Sequence, residues 1–125
     1  MLFRSGKMWT TFPGGYDIML MTVTGRKSGI ARTVPLIHVP YEDKVVLVAS
    51  QGGMSTSPNW YFNVIANPEV EIFYQGQSRR MLARQVDDEE KADLWPHLCS
   101  IYPDYDDYQR RTERNIPVLV CSEIE

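Results

Sequence analysis

The apolar runs of this chain come in an order that limits its fold: strand-like and helix-like segments joined by turns too short to carry crossover helices between parallel strands. Ile18–Thr24 is apolar and β-branched, Gly25–Gly29 supplies a turn, and Ala31–Val39 resumes a strand pattern, which predicts a β-hairpin. Pro35 puts the second run at a sheet edge or a bulge, because proline cannot donate to a central ladder. After a turn over Pro40–Asp43, Lys44–Ser50 is almost continuously apolar, as expected of a strand buried on both faces or at a barrel wall.

Gln51–Ser57 has the composition of a loop. Ser57-Pro58 then matches a helix start, with serine as N-cap and proline at the first helical position. Trp60, Tyr61, Val64 and Ile65 follow at helical spacing, and Asn67-Pro68 ends that helix. Val70–Tyr74 and Arg79–Gln85 flank a Gln-Gly-Gln turn as a second hairpin. Asp87 with Glu90 resembles a capping box, and Trp95, Leu98, Cys99 and Tyr102 line one face of the next helix, which Pro96 should kink or restart. Asp104–Glu113 reads as a short polar helix and Ile116–Cys121 as a closing strand.

The resulting order, β-β-β-α-β-β-α-α-β, disfavours a doubly wound parallel sheet. It fits a mainly β (α+β) fold: a small antiparallel barrel decorated by short helices, formed as one domain over residues 1–125. Residues 1–15 form a leader, helical or disordered. At 125 residues the chain supports one core, so a cofactor must sit within it or between copies, as monomer or homodimer. No apolar stretch approaches the ~20 residues of a membrane span. Met1–Thr10 lacks the apolar run of a secretory signal, and two distant cysteines predict reduced thiols in the cytoplasm.

Net charge is −3, but residues 1–40, 41–84 and 85–125 carry +4, 0 and −7. That excludes a broad cationic footprint for nucleic acid and leaves a small polyanion as the ligand suited to Arg26, Lys27 and Arg32. Gly25–Gly29 places two cations and the Ser28 hydroxyl between glycines, which suits an anion nest as well as a solvated turn. Ala49-Ser50-Gln51-Gly52 follows a buried strand with small residues, where a ring or a phosphate could approach the backbone; an ordinary turn fits equally. Trp60 suits either core or ring stacking. Tyr102, Tyr105 and Tyr108 recur every three residues, as phenols along one side of a helix or as rings packed on the barrel. His38 and His97 have no metal-ligand spacing, so no metal is expected.

The blocks Thr24–Gly29 (TGRKSG), Arg32–Leu36 (RTVPL), Val48–Gly53 (VASQGG), Ser57–Ile72 (SPNWYFNVIANPEVEI) and Tyr102–Val120 (YPDYDDYQRRTERNIPVLV) together resemble the deazaflavin-dependent nitroreductase family. The likeness runs from about Tyr16 to the end and implies an FMN-binding-like split β-barrel oxidoreductase using coenzyme F-420. The resemblance implies that Arg26, Lys27, Ser28 and Arg32 hold the coenzyme's phosphate and acidic tail. It also implies that Ala49, Ser50, Gln51 and Gly52, with Pro58, Trp60 and Asn63, border the deazaflavin ring, and that Tyr102, Tyr105 and Tyr108 line the substrate side as catalytic candidates. The implied reaction is hydride transfer to a planar acceptor: a quinone, an activated alkene such as an enone, or a nitroaromatic. The other readings are a non-catalytic deazaflavin carrier, or the same barrel holding FMN or haem. A peripheral contact with the inner membrane surface is compatible with all of them.

Overall fold

The computed structural model describes residues 11–12 and 16–124. The expected leader lies outside these apart from Thr11–Phe12, which form the strand β1. The other elements are β2 (Tyr16–Thr24), β3 (Ala31–Ile37), β4 (Pro40–Tyr41), β5 (Lys44–Val48), α1 (Asn59–Ala66), β6 (Glu69–Tyr74), β7 (Gln77–Gln85), α2 (Asp88–Ile101), α3 (Asp104–Arg111) and β8 (Val118–Glu123).

All strand pairs are antiparallel, in the order β3-β2-β6-β7-β8-β5-β4, with β1 also on β2. The two ends of that order are consecutive in sequence, and this closes the sheet. β3 pairs with β2 through Thr24↔Ala31 to Ile18↔Ile37, and the next residues change partner. His38 N still donates to Asp17 O (3.0 Å), whereas Val39 O accepts from Val46 N (2.9 Å) and Pro40 pairs with Val45. One continuous segment therefore joins both edges of a curled sheet into a split barrel. Pro35 falls in β3, which has only β2 beside it, so its missing N–H costs no ladder bond.

Burial shows which strands form the wall. In β5, Val45 and Leu47 point into the barrel with Met19, Met21, Ile72, Met81 and Leu119, while Val46 and Val48 pack outward beneath α2 and α3 with Leu94, Leu98 and Tyr105. β8 alternates likewise, with Leu119 and Cys121 inside and Val118 and Val120 outside. These strands read as continuously apolar because both faces are covered.

The β6–β7 hairpin turns on Gln75 and Gly76, both left-handed (φ 50° and 81°), which matches the twist of a two-residue antiparallel connection. The Asp87 cap holds: its Oδ1 accepts from Glu90 N at 2.8 Å. Glu90 does not complete the box, because its carboxylate makes a two-pronged pair with Arg84 at 2.9 Å on each arm.

Two local expectations fail, and half of a third. Pro40–Tyr41 is a strand, held by β5. Ser57 does not cap α1, whose N-cap is Pro58 with no side-chain bond, because the Ser57 hydroxyl accepts from Arg114 instead. Pro96 does not restart α2, which runs as one helix over 14 residues with Leu94 and Leu98 buried on either side of the proline. No helix among the described residues is long and apolar enough to cross a membrane.

Candidate functional site

Two clefts share Trp60 as a wall. One, of about 690 Å³, is lined by the β2–β3 turn and α1, and includes Arg26, Lys27, Ser28, Arg32 and Asn63. The other, of about 250 Å³, lies between the end of β3, the loop after β5 and the α2–α3 corner. Its walls include Pro35, Ser50, Gln51, Gly52, Pro58 and the three tyrosines.

The cationic cleft is shaped by its turn. Gly25 N donates to Ile30 O (2.8 Å) and Gly29 N to Gly25 O (2.9 Å), while Ser28 Oγ accepts from Ile30 N (3.1 Å), leaving the hydroxyl hydrogen free to donate. Buried Asn63 orients Arg26, accepting on Oδ1 from its backbone N (3.1 Å) and from Nη1 (2.8 Å), and the guanidinium also lies over Phe62. Lys27 and Arg32 are exposed, and none of the three cations has a carboxylate partner among the described residues. Such a cluster attracts an anion, and Asn63 lines this cleft and not the other.

The other cleft owes its floor to a strained loop. After β5 the chain buries Ala49 and Ser50, then passes through Gln51, Gly52 and Gly53, all with positive φ (45°, 63° and 80°). A Cβ on Gly53 would sit 2.7 Å from Tyr108 O and 3.0 Å from Tyr108 Cα, so this loop and α3 meet backbone to backbone. Gln51 folds its amide back onto its own loop, with Nε2 donating to Thr56 O (3.2 Å) and Thr56 Oγ1 (3.3 Å). The Ala49 side chain packs into the barrel core and lines neither cleft.

The tyrosines do not form a row on one helix. Tyr102 is the C-cap of α2, its N–H donating to Leu98 O, whereas Tyr105 and Tyr108 lie on α3. The corner at Tyr102-Pro103 brings them together: the Tyr102 and Tyr108 hydroxyls are 3.0 Å apart and share a hydrogen bond. Tyr105 is buried at 5% exposure, its ring edge-on to Tyr102. Desolvation, reinforced by the Tyr108 hydroxyl, holds the Tyr102 phenol well above its ordinary range; burial does the same for Tyr105. Both stay protonated across neutral pH.

Arg114 is the residue that local sequence patterns miss. Its guanidinium donates to Ala49 O (3.1 Å), Ser50 O (2.8 Å), Met54 O (2.8 Å) and Ser57 Oγ (3.1 Å). Burial lowers its pKa from the usual arginine value, and no carboxylate pairs with it among the described residues. No spacing rule links it to a loop some 60 residues earlier.

Neither histidine lines either cleft. His38 stacks on Tyr74 with ring centroids 3.6 Å apart, and His97 Nε2 bonds Pro40 O at 2.7 Å.

A family model described as F420H(2)-dependent quinone reductase matches residues 3–123. An F420H(2)-dependent quinone reductase of Mycobacterium tuberculosis (strain ATCC 25618 / H37Rv) is 36% identical over 121 residues, which span 94% of this chain and 81% of that protein. A solved F420-H2 dependent reductase (FDR-A) matches with a TM-score of 0.78 at 42% identity, over 84% of this chain and 93% of that one. A second solved structure, a domain-swapped dimer, matches with a TM-score of 0.79 at 42% identity, over 84% and 79% of the two chains.

Proposed function

This chain belongs to the F420H(2)-dependent quinone reductase family, and we propose on that premise that it reduces a quinone with coenzyme F420 bound across both clefts. The observation that carries the reading is the position of Trp60, shared by a cleft with three cations and a mostly apolar cleft closed by phenols. A ligand with a planar ring at one end and several negative charges at the other suits that division.

The residues fit such a coenzyme. Arg26, Lys27 and Arg32, with the Ser28 hydroxyl, would hold its phosphate and acidic tail, and Asn63 keeps Arg26 pointed for that purpose. Ser50, Gln51, Gly52, Pro58 and Trp60 would border the ring. When bound and reduced, the coenzyme supplies a hydride, a two-electron donor that needs no protein nucleophile. The chain's own work is to hold the acceptor flat against that ring beside Pro35, Pro58 and Trp60, and present a proton at Tyr108 Oη. Activated alkenes and nitro compounds are acceptors of the same planar, electron-poor kind.

Titrating the protein with coenzyme F420, FMN and haem, and following absorbance, tests the choice of ligand. Tight binding of F420 alone, with menadione reduced once the coenzyme is reduced, is the expected result; preference for FMN or haem, or binding without turnover, overturns it. FMN carries one phosphate, fewer charges than the cationic cleft can meet. Haem would find no histidine in either cleft.

The tail contact has its own test. Lys27→Ala combined with Arg32→Ala removes two exposed cations without touching a hydrogen bond of the turn, so the melting temperature should stay at the parental value. Affinity for the oligoglutamate coenzyme should fall, and the parent's affinity should weaken with salt as screening shortens to about 10 Å near 0.1 M. Affinity indifferent to both changes would remove the tail assignment. Arg26→Ala is a poorer probe, because it also strips the buried Asn63 carbonyl of its side-chain donor.

A further inference from the structure

The geometry points to Arg114 as a positioning residue that clamps the loop from Ala49 to Ser57 into the shape the coenzyme ring requires. Three backbone carbonyls and one hydroxyl, from four positions across that loop, all face one guanidinium. A loop with three successive left-handed residues does not hold itself in a single shape, since its only internal backbone bonds among those described are Gly53 N to Ser50 O (2.9 Å) and Met54 N to Gln51 O (3.1 Å). Only arginine offers fixed, divergent donors enough to span such a set.

Arg114 is itself held in place. Gln109 of α3 donates from Nε2 to Arg114 O (2.8 Å), and its Oε1 accepts from Ile116 N (3.1 Å) and from Lys91 Nζ of α2 (2.8 Å). The clamp thus ties the loop to the helices that carry the tyrosines, and the Gly53–Tyr108 contact is its other end. Loop and phenols, the two sides of the smaller cleft, then share one support. This rests on the reading that the loop borders the coenzyme, and deepens it by naming the group that shapes the border.

Arg114→Lys keeps a half-buried charge but reduces the fork to a single point of donation, and Ser57→Ala removes one acceptor from the other end. Amide hydrogen exchange in the coenzyme-free protein should quicken for Ser50–Met54 in Arg114→Lys, with barrel strands β5 and β8 unchanged. Titration with oxidised coenzyme F420 should give a Kd raised about tenfold, the equivalent of one lost charge-assisted hydrogen bond. Ser57→Ala should move both readouts the same way by a smaller factor. Parental exchange in the loop with parental Kd, in whichever of the two variants folds, overturns the clamp. So does quickened exchange spread evenly over the barrel, which would make Arg114 a general structural residue. If the parent itself fails to bind the coenzyme, the functional reading fails, while exchange in the loop still decides whether Arg114 holds it.

Discussion

Trp60→Ala should cost about 3–5 kcal/mol of stability, the range for removing a large aromatic from a well-packed core. In a domain of this size that corresponds to a melting temperature lowered by roughly 10–20 °C. Trp60 is 8% exposed and belongs to the barrel cluster with Val64, Met21 and Ala83, so its removal opens a cavity that α1, only eight residues long, cannot close without shifting. Because the same ring separates the two clefts, coenzyme binding should fall too, but as a consequence of the lost wall. Trp60→Phe separates the effects: it keeps much of the packing and should recover most of the melting temperature. If Trp60→Ala melts with the parent and loses only the coenzyme's spectral shift, the indole is a ligand contact and the core does not depend on it.

The double role of Trp60 shows what could be read in the sequence and what could not. Helical spacing, which is local, marked it as apolar-facing and so fitted core and ring stacking alike. Its place between two clefts depends on α1 packing across β2, which no local pattern encodes. The hairpins were legible for the same local reason: alternation and left-handed turn residues lie within ten residues of each other. The element order pointed to a barrel, but the way it closes was not legible, because closure depends on the Ala31–Tyr41 segment changing partners at His38, and Pro40–Tyr41 looked like a turn when no partner was in view. The Ser57 cap failed because a distant cation competed for its hydroxyl. The tyrosine spacing was real but its meaning was not helical, since Tyr102 ends one helix and Pro103 turns the chain before the next. Arg114 carried no signal of its own; three of its four partners are carbonyls, which every residue has.

Tyr108→Phe should leave coenzyme affinity near the parental value and lower turnover by about 10²-fold, the lower end of what a positioned general acid supplies. Hydride arriving at a quinone leaves negative charge on oxygen, and that oxygen must find a proton within the cleft that Pro35, Pro58 and Trp60 line with the three tyrosines. Tyr105 is too buried to offer its hydroxyl freely. Tyr102 and Tyr108 share one hydrogen bond, so one of the two hydroxyl hydrogens lies between them and the other is left for the substrate. Tyr102 is packed edge-on against Tyr16 and Tyr105, whereas Tyr108 has the Arg111 guanidinium over its ring. On the proposed reading Tyr108, carried on α3 and hydrogen-bonded to Tyr102, is the donor and Tyr102 the group that orients it. Tyr102→Phe should therefore cost less than Tyr108→Phe, and the double variant little more than Tyr108→Phe alone, because the two act as a unit. Near-parental turnover in Tyr102→Phe, Tyr105→Phe and Tyr108→Phe alike would mean that water delivers the proton, leaving the three rings as an apolar wall whose hydroxyls serve only each other.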